Sequence, residues 1–164
     1  MVSAWTPIRN FDNYLINREG QIIKQSNGHL VKTSRTQQGA VKVGLSADGI
    51  QYTRSLKVLV AETFVKGKTG TFDTPVHLDG DQINNDATNL VWRPRWFAIQ
   101  YALQFKKHYT YLDEGPIVNC KTGEVSQTIE EVGYTYGVLV SDVHRSLLMG
   151  TYVFPINVAF EYLK

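Results

Sequence analysis

The chain has 164 residues, 43% of them hydrophobic and 20% charged, with 17 Lys and Arg against 15 Asp and Glu for a formal net charge of +2. That mix folds rather than staying disordered, and its length suits one ordinary domain or two to three small modules. No apolar run approaches the roughly 18 residues of a membrane helix. The N-terminus lacks a signal-peptide core, and the lone Cys120 excludes an intrachain disulfide and a cysteine-built zinc site. A soluble protein of a reducing intracellular compartment is therefore expected.

Residues 8–64 read as β-rich. Short apolar stretches at 14–16, 21–23, 29–31 and 41–45 alternate with turn signals at 18–20, 26–28, 37–39 and 47–49, a spacing that predicts a small antiparallel sheet. Leu56, Leu59, Val60 and Phe64 then recur at helical spacing, which predicts a helix over 55–64. Residues 66–75 read as a flexible connector. The next stretch, VHLDGDQINNDATNLVW at 76–92, is crowded with Asp and Asn around His77 and holds no Lys or Arg. Such side chains bond nearby backbone, so DGDQINND reads as a tight loop. Its spacing does not fit an EF-hand, which also needs a distal Glu.

Trp96, Ile99 and Leu103, with Tyr101 and Phe105, predict a helix from Arg95 to Tyr109 whose polar face carries Gln100, Gln104, Lys107 and His108. A hairpin is expected after Pro116, turning at Lys121–Gly123. Thr128 has the position of an N-cap, with Glu131 completing a capping box. Two helices follow, over 128–137 and 141–150, the second capped by Ser141 or Asp142. The pair has the outline of a helix–turn–helix, which also serves simply to pack two short helices.

Charge is unevenly spread. Residues 1–70 carry ten basic and four acidic groups, residues 71–92 four acidic and none basic, residues 93–112 four basic and none acidic, and residues 113–164 three basic and seven acidic. The two basic blocks, Lys24, Lys32, Arg35, Lys42, Arg54 and Lys57, then Arg93, Arg95, Lys106 and Lys107, are candidate phosphate contacts. Gln37, Gln38, Gln51 and Tyr52 are candidate groove contacts.

His77, Asp79, Gly80, Asn84, Asn85, Asn89, Leu90 and Trp92 fall in register with the ββα-metal (His-Me finger) motif of the HNH endonucleases. The stretch most resembles phage and intron-encoded HNH homing endonucleases. WTPIRNFDNYLINREGQI at 5–22 resembles the NUMOD4-like module that accompanies them, LKVLVAETFV at 56–65 its following helix, and TGEVSQTIEEVG with SDVHRSLLMG their C-terminal helix–turn–helix module. The resemblance implies an α+β protein in three parts. These are a β-rich DNA-binding module at 1–65, an HNH core with its following basic helix at 66–112, and a hairpin plus helix–turn–helix at 113–164. It also implies a phage protein acting in the cytoplasm of a bacterial host.

In that family the motif histidine is the general base, and one divalent cation, usually Mg²⁺, stabilises the leaving oxygen. The resemblance places the base at His77 and the loop-fixing Asn at Asn89. The two metal ligands belong directly before the histidine and six residues beyond the tryptophan, where this chain has Val76 and Ala98, and a histidine that often follows is replaced by Tyr101. Neither Val nor Ala offers an oxygen, so the site is expected to be degenerate, with His77 vestigial, no cofactor, and Asp79 or Asp81 as the remaining donors for Mg²⁺ if the protein is active. Three functions stand: a silent binder of double-stranded DNA, a Mg²⁺-dependent nicking enzyme with rearranged ligands, and a factor that binds or inhibits a host protein. The acidic C-terminal part favours the last, since its second helix offers a groove only His144 and Arg145, and Tyr134, Tyr136, Tyr152 and Phe154 serve equally as core or interface.

Overall fold

The four turn signals at 18–20, 26–28, 37–39 and 47–49 each fall at the junction of successive strands, and a further turn at Arg9–Asn10 brings the number of short strands to six, from Thr6 onward. In the computed structural model, which describes residues 4–106, 111 and 115–163, β1 (Thr6–Ile8), β2 (Phe11–Ile16) and β3 (Ile22–Lys24) form one antiparallel sheet. A second is formed by β4 (Thr33–Arg35), β5 (Val41–Ala47) and β6 (Ile50–Ser55). The single small sheet expected is thus two three-stranded sheets. Residues alternate across each pleat. Tyr14 and Ile16 point inward from β2, as do Val41, Val43 and Leu45 from β5, while Lys42 and Ser46 face solvent. The Tyr14 hydroxyl joins the two sheets by accepting the Ser46 N–H at 3.2 Å.

The predicted helix follows β6 directly as α1 (Leu56–Phe64) and buries Leu56, Leu59, Val60 and Ala61. These join the strand residues, Leu90 and Trp92 in one core. β7 (Thr74–His77) begins inside the segment expected to be connector and pairs antiparallel with β8 (Leu90–Arg93). α2 (Arg95–Gln104) is present, and its buried face agrees with expectation at Tyr101 but not at the other positions. Phe97, Ala98 and Tyr101 are buried, whereas Trp96, Ile99 and Leu103 are exposed. Lys107 and His108, assigned to its polar face, lie outside the described residues.

Packing divides the chain into two compact units, Met1–Ala98 and Ile99–Lys164. In the second, β9 (Ile117–Asn119) pairs with β10 (Val125–Ser126) in the expected hairpin, and β11 (Phe160–Tyr162) adds an unforeseen third strand. α3 (Ile129–Tyr136) starts as predicted. Thr128 Oγ1 accepts the Glu131 N–H at 3.1 Å, and the Glu131 carboxylate accepts the Gln127 N–H at 2.6 Å. α4 (Val140–Met149) starts earlier than predicted, at a Leu139 cap, and neither Ser141 nor Asp142 caps it. Gln104 Oε1 instead accepts the Val140 N–H at 3.1 Å. Gly133 lets α3 and α4 approach, since a Cβ there would fall 2.7 Å from Val140 Cγ2. Among the described residues no helix is long and apolar enough to cross a membrane.

Candidate functional site

The Asp- and Asn-rich stretch is a loop between two paired strands. β7 and β8 run with Val76 opposite Val91 and His77 opposite Leu90, and the ladder continues through a Leu78 N–H bond to the Asn89 carbonyl at 2.8 Å. Each short polar side chain then closes part of the turn. Asp79 Oδ1 accepts the Asp81 N–H at 2.8 Å, Asp81 Oδ1 the Ile83 N–H at 2.9 Å, and Asp86 Oδ1 the Thr88 N–H at 2.8 Å. The last of these caps a single 3-10 turn, Ala87–Asn89.

Asn89 spans the loop. Its Nδ2 donates to Asp79 Oδ1 at 2.9 Å and to the Asn84 carbonyl at 2.8 Å, while its Oδ1 accepts the Asp79 N–H at 3.1 Å. Two further bonds fasten the motif to the N-terminal part of the chain: Ala87 N–H to the Arg18 carbonyl in the turn after β2 at 2.8 Å, and Trp92 Nε1–H to the carbonyl of Val65, which ends α1, at 3.0 Å.

His77 is buried, and its Nε2 lies 3.1 Å from Asn85 Oδ1. The Asn85 amide donates from Nδ2 to the carbonyls of Gln82 at 3.2 Å and Ile83 at 3.0 Å. Its oxygen therefore faces the imidazole, and Nε2 must carry the proton. Burial pushes the His77 pKa below its ordinary value. The Asn85 bond and the charges of Asp79 and Asp81 oppose that shift, and the charge of Lys57 reinforces it. Burial thus favours the neutral imidazole, whose Nδ1 accepts no hydrogen bond among the described residues, the form a proton acceptor requires.

The donor set does not fit a cation held as in the resembled family. Val76 and Ala98 are buried aliphatic side chains. Asp79, the alternative donor, is committed to the loop, with Oδ2 accepting from Asn84 Nδ2 at 2.8 Å in addition to the two bonds on Oδ1. Burial alone would raise its pKa, but the bonds from Asn89, Asn84 and the Asp81 backbone prevail and hold it below the usual carboxylate range. Among the described residues no group of three or more His, Cys, Asp or Glu is placed to hold a metal.

The basic residues do not form one surface. Lys24, Lys32, Arg35, Lys42, Arg54, Arg95 and Lys106 are exposed, Lys57 is half-buried, and Lys107 lies outside the described residues. Register separates them further. Lys42 stands in a row with Ser34 and Ser55 on the solvent face of the β4–β5–β6 sheet. Arg35 and Arg54 lie opposite Val41 and Val43, on the core side of its two edge strands. Arg54 stacks 4.9 Å over Tyr52 and 5.5 Å over Phe11. Gln51 and Tyr52, adjacent in sequence, face opposite sides, while Gln37 and Gln38 sit exposed at the β4–β5 turn. Arg93 departs most from expectation. It is buried, its Nη1 donating to the Trp92 carbonyl at 2.9 Å and its guanidinium lying 5.9 Å from the Phe97 ring centre.

In the second unit Arg145 pairs with Asp142 at 3.3 Å, and His144 packs 4.8 Å from Tyr111. Tyr136 donates to Glu124 and packs on Phe160, and Tyr134 stacks on Phe105. Leu148, Met149, Tyr152 and Phe154 are exposed. Sequence reasoning kept Asn85 as a loop builder and missed its bond to His77, for which its match to the motif was the available signal. It also missed the influence of the Lys57 charge on His77, for which there was none.

A histidine ending one strand, a loop locked by asparagines, a returning strand and a helix make up a ββα arrangement. No protein-family model matches the chain. Two curated proteins of Acanthamoeba polyphaga mimivirus do, the uncharacterized HNH endonucleases L245 and L247, with 35% identity over 92 residues and 31% over 91. Each match covers 56% of this chain, and the chain spans only about a quarter of the relatives' length, 27% and 23%. The solved structure described as DNA binding and cleavage by the HNH homing endonuclease I-HmuI aligns over 98% of both chains, with a TM-score of 0.58 and 20% identity. That likeness is one of fold, and together with the relatives it supports an HNH endonuclease scaffold.

Proposed function

We propose that the protein binds double-stranded DNA on an HNH-type scaffold and acts by occupying its site rather than cutting it. The observation that carries this is the pair of aliphatic side chains, Val76 and Ala98, at both positions where the resembled enzymes keep oxygen ligands, beside a loop whose hydrogen bonds are complete. Without a cation the charge developing on a cleaved phosphate loses its main counter-charge, a several-kcal/mol effect, and each ~1.4 kcal/mol lowers the rate about tenfold. Exposed Lys24, Lys32, Lys42, Arg95 and Lys106 supply phosphate contacts. Occupancy alone blocks or recruits other DNA-bound proteins, which suits a regulator. The test is a duplex shift assay across a salt series, run beside supercoiled-plasmid nicking with Mg²⁺ or Mn²⁺. Salt-dependent binding without nicking is expected, and robust nicking refutes the silent reading.

Two other readings each have one observation in their favour. The neutral, Nε2-protonated His77 is a competent base and favours a nicking enzyme that draws an ion from Asp79 or Asp81. The exposed Leu148, Met149 and Tyr152, on a unit whose Arg145 is ion-paired, favour a host-protein partner. Pulldown from host lysate with and without nuclease treatment separates a DNA partner from a protein one.

A further inference from the structure

We propose that the solvent face of the β5–β6 pair is a base reader, which enters the DNA major groove and sets the Gln51 amide on an adenine edge. This rests on the DNA-binding reading and specifies how such binding distinguishes one sequence from another. β5 and β6 pair without a bulge from Lys42 opposite Ser55 to Ala47 opposite Ile50. Alternation gives their solvent face Lys42, Gly44 and Ser46 from one strand and Gln51, Thr53 and Ser55 from the other. β4 pairs only with Val41–Val43, so from Gly44 to the turn this sheet is a two-stranded ribbon. Two strands ~4.8 Å apart fit a groove ~12 Å wide, and a ribbon of that kind is one of the elements the major groove admits. No Asp or Glu occurs in β4, β5 or β6, and Asp48 lies in the turn beyond them. Lys42 forms no ion pair among the described residues. The face thus turns one cation and a set of short hydrogen-bonding side chains outward, which complements a polyanion with polar base edges.

Gly44 is the odd member of this face. Glycine weakens a strand interior, and there it marks a bulge, a left-handed backbone or the close approach of another group. The ladder runs through Gly44 without a bulge, and its φ lies outside the left-handed region. Close approach remains, and a Cβ on Gly44 would stand 3.1 Å from Gln51 Nε2. Gly44 lies opposite Thr53 and Gln51 opposite Ser46, so the Gln51 side chain crosses the ribbon diagonally and rests its amide over the bare backbone. Gln51 is exposed, and its amide makes no hydrogen bond among the described residues. Side by side, its oxygen and nitrogen match the N6 donor and N7 acceptor that adenine presents in the major groove. The missing side chain at 44 keeps the amide low on the ribbon and leaves room for a base edge above it.

The test selects binding sites with the full chain from a pool of duplexes carrying a random segment. Affinity is then measured for the selected duplex and its single-base-pair variants across a KCl series. Wild type is expected to enrich a site with an adenine whose replacement weakens binding about tenfold. Gln51→Ala should lose that discrimination and keep the salt slope, since no phosphate contact is removed. Gln51→Glu should move the preference at the same position to cytosine, whose N4 amino group donates to a carboxylate. Gly44→Thr should lift the amide off the ribbon and lose the preference with a thermal midpoint no lower than wild type, because a β-branched residue suits a strand better than glycine. An adenine preference that survives in both Gln51 variants overturns the reader and leaves DNA binding standing. So does wild-type binding without sequence preference, or tighter binding to single strands than to duplex. Failure of the wild type to bind any duplex removes the DNA-binding reading and the reader with it.

Discussion

Replacing Asn89 by alanine removes the one side chain that ties three separate points of the motif loop. Of its three hydrogen bonds, the one to the Asp79 carboxylate contributes ~1.5–3 kcal/mol and the two with backbone groups ~0.5–1.5 kcal/mol each. The bonds share partners, so their sum overstates the effect, and Asn89→Ala should destabilise the first unit by about 3 kcal/mol. Asn89→Asp should be worse. It places a carboxylate where Nδ2 now donates, against the Asp79 carboxylate at 2.9 Å. The Asp79 pKa, now held low, should rise in both variants. Urea unfolding followed by tryptophan fluorescence isolates the effect, since Trp5, Trp92 and Trp96 all lie in Met1–Ala98. A loss below about 1 kcal/mol for Asn89→Ala would show that the loop holds its shape without this side chain, and the account of the motif as a hydrogen-bonded frame would be wrong.

Protonating buried His77 opposes folding. Its folded pKa lies below the unfolded value of about 6.5, so the unfolded chain takes up the proton first and stability falls as pH drops through that window. His77→Gln should flatten the dependence, read as urea midpoints at pH 7.5 and 5.5, and an equal slope in the variant counts against it. Gly133→Ala should destabilise the second unit by about 1–3 kcal/mol, because the new methyl meets the stiff Val140 side chain at 2.7 Å. Adding Val140→Ala should relieve part of that clash, and strict additivity in amide-exchange protection would speak against it. Val76→Asp with Ala98→Asn should recreate an oxygen-lined cation site and give nicking that His77→Ala abolishes, with neither single change sufficing. A folded double variant that neither nicks nor gains thermal stability from Mn²⁺ would mean that the two positions do not converge on one ion.

The motif loop was legible because its chemistry is local. Asp79, Asp81 and Asp86 each accept from backbone two residues on, and their spacing records which groups they reach, while Asn89 reaches back across the loop to Asp79 and Asn84. The same holds for Thr128 and Glu131. What failed depends on partners distant in sequence. Ser141 was a good local cap for α4, yet the helix starts one residue before it, at Val140 after a Leu139 cap, with Gln104 bonded to its first N–H. α2 carries apolar residues all round, so periodicity alone did not decide between Trp96–Ile99–Leu103 and Phe97–Tyr101 as the buried side. Counting charges found the basic blocks but not the pleat that sets Lys42 and Arg54 on opposite faces, nor the burial of Arg93.

The pairing of Val76 with Val91 has an evolutionary reading. A β-branched residue buried between paired strands suits the sheet better than a carboxylate, so the protein is more stable with Val76 than with an aspartate lacking its ion. A lineage that introduced Asp at 76 first would meet a stability valley, since the compensating cation needs a second oxygen at 98. A lineage starting with Asn at 98 would gain nothing selectable. On the proposed non-cutting reading the two positions are expected to show sign epistasis, each single change costing stability or gaining nothing while the pair together restores an ion site.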